Sequence, residues 1–343
     1  MTNLFPSTCR YALNLMSIFP SSVLRLRKQK GGKDTLGVAA VINNTGVIQL
    51  RRGEYEIAKS CFNESMRIFE MLLEENHENI AEALLNLGEI DYHEGQYDDA
   101  IDKFKDALGI FKSRLDDEHL KVGLVWNCLG RCYKCKGDYI DATEALEKSL
   151  YIRKSQLGIG SILVAETMKD LGELYLEKKE IQNARSYLSD SIDTMTTLMP
   201  NDTKTADCMF LLGRVMSEMN YKEEAIAYFQ DALEIRRRRL DSDDLTIAGI
   251  QVELGLLHEK SKEYDLSLDL YQRALETQVR ILDKEEIVAD THNSIGAIYQ
   301  VTNELQLALK SFGAALMIYY DCVGDEHISC AKTMNNIGIV YGK

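Results

Sequence analysis

Residues 77–116 read HENIAEALLNLGEIDYHEGQYDDAIDKFKDALGIFKSRLD. Ala81 stands seven residues before Gly88, while Ala100, Phe104 and Ala107 follow it by twelve, sixteen and nineteen. Spacings of three, four and seven gather residues on one face of an α-helix. Two such faces flank Gly95, a residue type that tolerates the left-handed backbone ending a helix. The stretch therefore reads as helix A, a tight turn and helix B. Its small residues let the two helices approach, and its large one fills the gap toward a neighbouring repeat.

The same pattern recurs along the chain. Gly46, Gly88, Gly130, Gly172, Gly213, Gly255, Gly296 and Gly338 are separated by 42, 42, 42, 41, 42, 41 and 42 residues. Seven before each glycine stands Ala or Gly: Ala39, Ala81, Gly123, Ala165, Ala206, Ala248, Ala289 and Ala331. Sixteen after it stand Phe62, Phe104, Leu146, Leu188, Phe229, Tyr271 and Phe312. The turn position is Gly53, Gly95, Gly137, Lys179, Asn220, Lys262 or Asn303. Self-similarity at a fixed period of this length marks a stacked repeat array. The expected fold is all-α, with fifteen helices: seven A–B pairs and a last A helix at about 327–342.

Composition fits this. Only Pro6, Pro20 and Pro200 interrupt the 343 residues, so the chain can be helical nearly throughout. A net charge of −14 repels phosphate backbones, and no nucleic-acid partner is expected. The basic run Arg236-Arg237-Arg238-Arg239 ends a predicted helix B, where it complements the helix dipole. Eight cysteines without the spacing of a secreted scaffold imply reduced thiols and a cytoplasmic location. No apolar run approaches the ~20 residues that cross a bilayer.

Trp126, Leu129, Gly130, Tyr133, Gly137 and Ala142 resemble the tetratricopeptide signature W-x2-L-G-x2-Y followed by a small residue. The period is longer than the usual 34. The added length lies in helix B and its exit, as in Ala232-Leu233-Glu234-Ile235-Arg236, and resembles the kinesin-light-chain type. The resemblance covers about residues 36–343. It implies a right-handed superhelical solenoid whose A helices line a concave groove, and a non-catalytic scaffold or adaptor for peptide or protein ligands. The competing implication is a regulatory or cargo-binding region of a larger enzyme or motor assembly. A motor heavy chain is not an expected partner, because no heptad coiled coil precedes the repeats.

The array is expected over residues 35–343. Residues 1–34 carry six basic residues and one acidic residue, Asp34. They read either as a degenerate capping helix or as an organelle transit peptide.

Several chemical-looking motifs have a structural explanation. Cys128-x3-Cys132-x2-Cys135 has the spacing of an iron–sulfur motif but lies within a predicted helix A, where cysteines serve as small buried apolar residues. His77, His119 and His327 each stand eleven residues before a reference glycine, at the start of helix A. Trp126 fills the aromatic slot of the repeat, so core packing is expected of it. No phosphate-binding loop, zinc-protease motif or nucleophile elbow occurs, and neither catalysis nor a cofactor or metal is expected.

Tetratricopeptide relatives place groove contacts three residues before the reference glycine and one and four after it. The first position holds Asn43, Leu85, Asn127, Lys169, Phe210, Val252, Asn293 and Asn335. The second includes Glu89, Arg131, Glu173 and Arg214, and the third Tyr92 and Lys134. Asparagine is a mediocre helix former, so its recurrence points either to a grip on a peptide backbone or to hydrogen bonds between repeats. The groove candidates are Asn43, Asn127, Arg131, Lys134, Lys169, Arg214, Asn293 and Asn335. Asn127, Arg131, Lys134 and Lys169 form the most positive stretch, expected to be solvent-exposed and to hold an acidic ligand.

Overall fold

The turn position controls the architecture. Gly53, Gly95, Gly137, Lys179, Asn220, Lys262 and Asn303 all have positive φ, between 62° and 80°. One residue later the backbone N–H reaches back five residues, as Gln96 N–H does to Asp91 O at 2.8 Å and Glu263 N–H to His258 O at 2.9 Å. This closure satisfies carbonyls that the end of a helix leaves unpaired. Gly and Asn were the expected occupants, yet Lys179 and Lys262 adopt the same conformation with a Cβ in place.

A computed structural model describes residues 34–239, 244–282 and 285–342. Residues 1–33, on which the capping-helix and transit-peptide readings fall, lie outside the described residues. Fifteen helices and no strand occur among the described residues. The A helices are α1 (Leu36–Arg51), α3 (Glu78–His93), α5 (Leu120–Lys136), α7 (Ile162–Glu177), α9 (Thr203–Glu218), α11 (Leu245–Lys260), α13 (Glu286–Val301) and α15 (Ile328–Tyr341). The B helices are α2 (Tyr55–Leu72), α4 (Tyr97–Arg114), α6 (Tyr139–Leu157), α8 (Ile181–Leu198), α10 (Lys222–Arg239), α12 (Tyr264–Leu282) and α14 (Leu305–Cys322). The chain divides into two units, residues 1–174 and 175–343. In the first, each helix from α1 to α6 packs on the next; in the second, the same holds from α8 to α15.

Six A–B pairs close on their reference glycine. A Cβ built on Gly88 would lie 2.6 Å from Phe104 Cε1, and one on Gly46 2.6 Å from Phe62 Cε1. Gly130 meets Leu146, Gly213 meets Phe229, Gly255 meets Tyr271 and Gly296 meets Phe312 in the same way. The large residue therefore covers the glycine of its own repeat first. It also reaches onward: Phe62 clusters with Leu87 and Ile90, and Tyr271 with Ile295 and Ile298. The partner alanines Ala81, Ala100 and Ala107 are fully buried. Gly338, on α15, has nothing within 4 Å, and Ala331 on the same helix is exposed.

Helix starts follow the sequence as well. His77, His119 and His327 are N-caps whose Nδ1 accepts from the backbone N–H two residues on, at 3.2, 3.1 and 3.4 Å. That use requires the ring with Nδ1 unprotonated. Thr35, Asp202 and Asp244 cap other A helices through side-chain oxygens.

The junction between successive repeats is more polar than expected. Nineteen or eighteen residues before a reference glycine, Phe69 and Phe111 fill it with aromatic rings, and Met195 with a thioether. At the same register stand buried Arg153 and Arg236. Arg153 donates to Leu163 O at 3.0 Å and to Thr167 Oγ1 at 2.7 Å on the next helix. Arg236 pairs with Asp207 and donates to Thr246. So Arg236 is a buried link between α10 and its neighbours as well as part of a basic helix end.

Candidate functional site

On α5, Asn127, Arg131 and Lys134 follow one another at four and three residues, so they share a stripe of the helix. The neighbouring A helices supply the other half of the site. Arg131 Nη1 lies 3.4 Å from Glu89 Oε1 on α3, and its guanidinium stacks 4.3 Å from the centre of the Tyr92 ring. Asn127 Nδ2 donates to Asp170 Oδ2 on α7 at 3.0 Å. Lys134 Nζ lies 2.6 Å from Glu173 Oε2, and Lys169 Nζ 3.1 Å from Asp170 Oδ1. Across α3, α5 and α7 the stripe thus alternates acid, base, acid.

This corrects the expectation of open exposure. Asn127 is only 7% exposed and spends its amide on Asp170. Arg131 and Lys134 are half-buried with carboxylates beside them. The cause is the repeat itself: Glu89 stands at the register of Arg131 one repeat earlier, and Glu173 stands 39 residues after Lys134, so an acid on the adjacent A helix lands opposite each base. Burial opposes the charge of Arg131, but Glu89, Tyr92 and Asp170 outweigh it and hold the guanidinium firmly protonated. Burial likewise pushes Asp170 up, while Lys169, the Asn127 amide and Arg131 pull harder and leave the carboxyl below its ordinary range. Both groups are ionised at neutral pH.

The other candidates divide. Asn43 is buried and its Oδ1 accepts from Asn86 Nδ2 at 3.3 Å. Asn293 Oδ1 accepts from Thr333 Oγ1 at 3.5 Å. Asn43 and Asn127 therefore both bind a side chain 43 residues onward, and the repeat-to-repeat reading of the asparagines accounts for them. Arg214 Nε lies 3.6 Å from Glu253 Oε1, a long pair whose arginine is 40% exposed. Burial raises the Glu253 carboxyl. Asn335 on α15 is exposed.

The cysteine motif belongs to the packing. Cys128 and Cys132 are buried, Cys135 is exposed, and the described cysteines form no disulfide. Cys128 Sγ donates to Glu89 Oε1 at 3.0 Å. Burial raises the Cys128 thiol and pushes Cys132 up to about 12, which suppresses thiolate chemistry. No helix among the described residues is long and apolar enough to cross a membrane.

Two features escaped the sequence reading. The acids opposite Arg131 and Lys134 were visible as Glu89 and Glu173, but only a pairing rule across repeats would have linked them. Trp126, expected in the core, is half-buried and flanks the core cluster of α4–α6 from its edge.

A tetratricopeptide repeat protein of the STAND signal-transduction ATPase class from Pyrococcus horikoshii superposes with a TM-score of 0.70 at 15% identity, covering 96% of this chain and 48% of that one. The Rap protein complexed with competence and sporulation factor gives 0.64 at 16% identity, covering 90% and 86%. A putative kinesin light chain repeat protein from Podosopora anserina gives 0.50 at 18% identity, covering 60% and 98%. At these identities the likeness is one of fold. A search of the curated proteins gave no significant match. Tetratricopeptide-repeat sequence models match residues 37–113, 122–197 and 205–245, more than half of the 343 residues, and the chain belongs to the tetratricopeptide repeat family.

Proposed function

We propose that the chain is a non-catalytic interaction scaffold that takes a peptide or protein segment along the A helices, on the side that the family resemblance makes concave. The observation that carries this reading is the row of half-buried ion pairs on α3, α5 and α7. Arg131 and Lys134 are fixed in place by Tyr92, Glu89 and Glu173, so they are ordered before any ligand arrives. A pre-ordered base binds a carboxylate with less entropic loss than a mobile one. An acidic segment would take the place of Glu89 at Arg131, where the existing contact is long at 3.4 Å, and compete with Glu173 for Lys134. Lys169 would follow from α7. Arg214, with its long pair to Glu253, offers the same exchange in the second unit, and Asn293 and Asn335 complete the candidate set.

The Rap protein is described in complex with competence and sporulation factor, which supports the use of this fold for binding. A second reading has its own observation. The chain spans 48% of the Pyrococcus ATPase, whose repeats are described as a sensor, so the array would act as the sensing or regulatory region of a larger protein.

The test starts with capture of a partner from the source cell and measurement of its affinity. Arg131→Ala with Lys134→Ala should weaken an acidic partner by about tenfold or more, and added salt should weaken wild-type binding. A captured partner that binds the double variant and the wild type equally would overturn the assignment of this stripe.

A further inference from the structure

A second site lies away from that stripe, within the first unit. Between the end of α4 and α6 opens a pocket of about 490 Å3, with Trp126 of α5 in its lining. Trp126 is the sole tryptophan of the chain. Two lysines already approach its ring: Lys148 Nζ lies 4.4 Å from the centroid and Lys112 Nζ 5.6 Å. The indole is therefore a cation-attracting surface in this structure, as its quadrupole dictates.

The walls are acidic. Asp117, Glu118, Glu144 and Glu147 line the pocket with those two lysines, so carboxylates outnumber lysines in its lining. Lys112 pairs with Asp117 at 3.4 Å and Lys148 with Glu144 at 2.5 Å. All four side chains of these pairs are more than 40% exposed. Exposed pairs of this kind are weakly held, so either lysine can swing from the ring while keeping its carboxylate. Glu118 accepts from the Tyr151 hydroxyl at 3.1 Å, which fixes one carboxylate at the mouth.

We propose that this pocket docks an arginine side chain of a partner peptide, the guanidinium lying on Trp126 and bonding Glu118 and Glu144. Arginine is preferred to lysine for two reasons. Its planar guanidinium stacks on an indole and forks a carboxylate. The chain also builds the same clamp internally, where Arg131 lies on the Tyr92 ring beside Glu89. The charge of the walls disfavours an anionic occupant, which would need the two lysines freed from their acids.

The single tryptophan makes the test direct. Emission of the 343-residue chain is recorded while an acetylated and amidated hexapeptide, one arginine among glycines and serines, is added. Matched peptides carry lysine, citrulline or glutamate in that place. The arginine peptide should give a saturable change, at least about fivefold tighter than citrulline, and salt should weaken it. Glu118→Gln with Glu144→Gln should weaken it by about tenfold. Lys148→Met should strengthen it, because the competing cation leaves the ring and Glu144 is released. That gain cannot come from a damaged fold, and circular dichroism checks each variant. The proposal is overturned if no peptide moves the emission, if lysine or citrulline binds as well as arginine, or if the glutamate peptide binds and Lys148→Met abolishes it.

Discussion

Adding one methyl group at the reference glycine should have opposite effects at two places in this chain. At Gly88 a new Cβ would meet Phe104 Cε1 at 2.6 Å, Cδ1 at 2.9 Å and Cζ at 3.0 Å. The ring is fully buried, so it has no open space to enter. Overpacking of this kind costs about 1–3 kcal/mol. Replacing glycine by alanine inside a helix returns about 1 kcal/mol, which leaves Gly88→Ala destabilising by about 0–2 kcal/mol. At Gly338 the same Cβ meets nothing within 4 Å, and only the helical gain of up to about 1 kcal/mol remains. Gly338→Ala should therefore stabilise. The difference between the two sites isolates the steric term. A third variant closes the logic: Phe104→Ala costs about 3–5 kcal/mol alone, but in its presence Gly88→Ala should become stabilising. Urea titration followed by circular dichroism gives the energies, and amide exchange in α3, α4 and α15 localises them, since repeat arrays open locally. Equal effects at Gly88 and Gly338, or a Gly88 penalty that survives Phe104→Ala, would refute the reasoning.

Three further outcomes follow from other sites. Lys262 holds a φ of 62° at a position where a Cβ is strained, so Lys262→Gly should stabilise by about 0.5–1 kcal/mol, read as a raised urea midpoint. Burial holds His292 below the ordinary value of 6.5, so the unfolded chain takes up the proton first as pH drops; stability should fall as pH is lowered through about 6.5 and level off below the folded value, and His292→Met should flatten that slope in melts at pH 5 to pH 8 (about three units around the imidazole range). Asn127→Ala removes a donor from the carboxylate of Asp170 and should cost about 1–3 kcal/mol, with the loss absent when Asp170 is already Ala; a double-mutant cycle by chemical denaturation checks it.

How much of this fold was legible follows from what each position has to do. Positions with one steric solution repeat visibly. The reference glycine lies so close to a ring or a Leu side chain that a Cβ on it would stand 2.6–2.7 Å away, and the residues at Ala81, Ala100 and Ala107 have no exposed surface at all. Such positions admit almost one residue type, so the period appears in a single sequence. The turn position is looser. Its backbone is fixed near a φ of 62–80°, but glycine, asparagine and lysine all meet that demand at different energetic cost. The junction between repeats is looser still. Phe111, Arg153, Met195 and Arg236 occupy equivalent places because an aromatic ring, a thioether and a hydrogen-bonded guanidinium can each fill the space. There the pattern is spatial and has no one-letter signature, which is why Arg236 read as a helix-end charge.

The candidate site was legible in address but not in state, for a related reason. A helical stripe is a local property, and the spacing of Asn127, Arg131 and Lys134 suffices to define it. Whether those side chains are available depends on residues about 40 positions away, Glu89, Asp170 and Glu173. Each of those acids sits at its own register and looks, taken alone, like another exposed charge. Stacking at a constant period converts two such rows into a ladder of ion pairs. The pairing neutralises the positive stretch while leaving its side chains ordered, so ligand binding there becomes an exchange of partners and its strength a difference between two carboxylates. The Trp126 pocket differs in kind. Its charges come from two helices and a connecting turn, and carboxylates outnumber lysines among them. An unbalanced site attracts an ion of the missing sign from solution, whereas a balanced one binds only what pairs better than its own residues. By that criterion the acidic pocket beside Trp126 should respond to a small cationic peptide that leaves the Arg131 stripe untouched, and the two surfaces are free to recognise different partners.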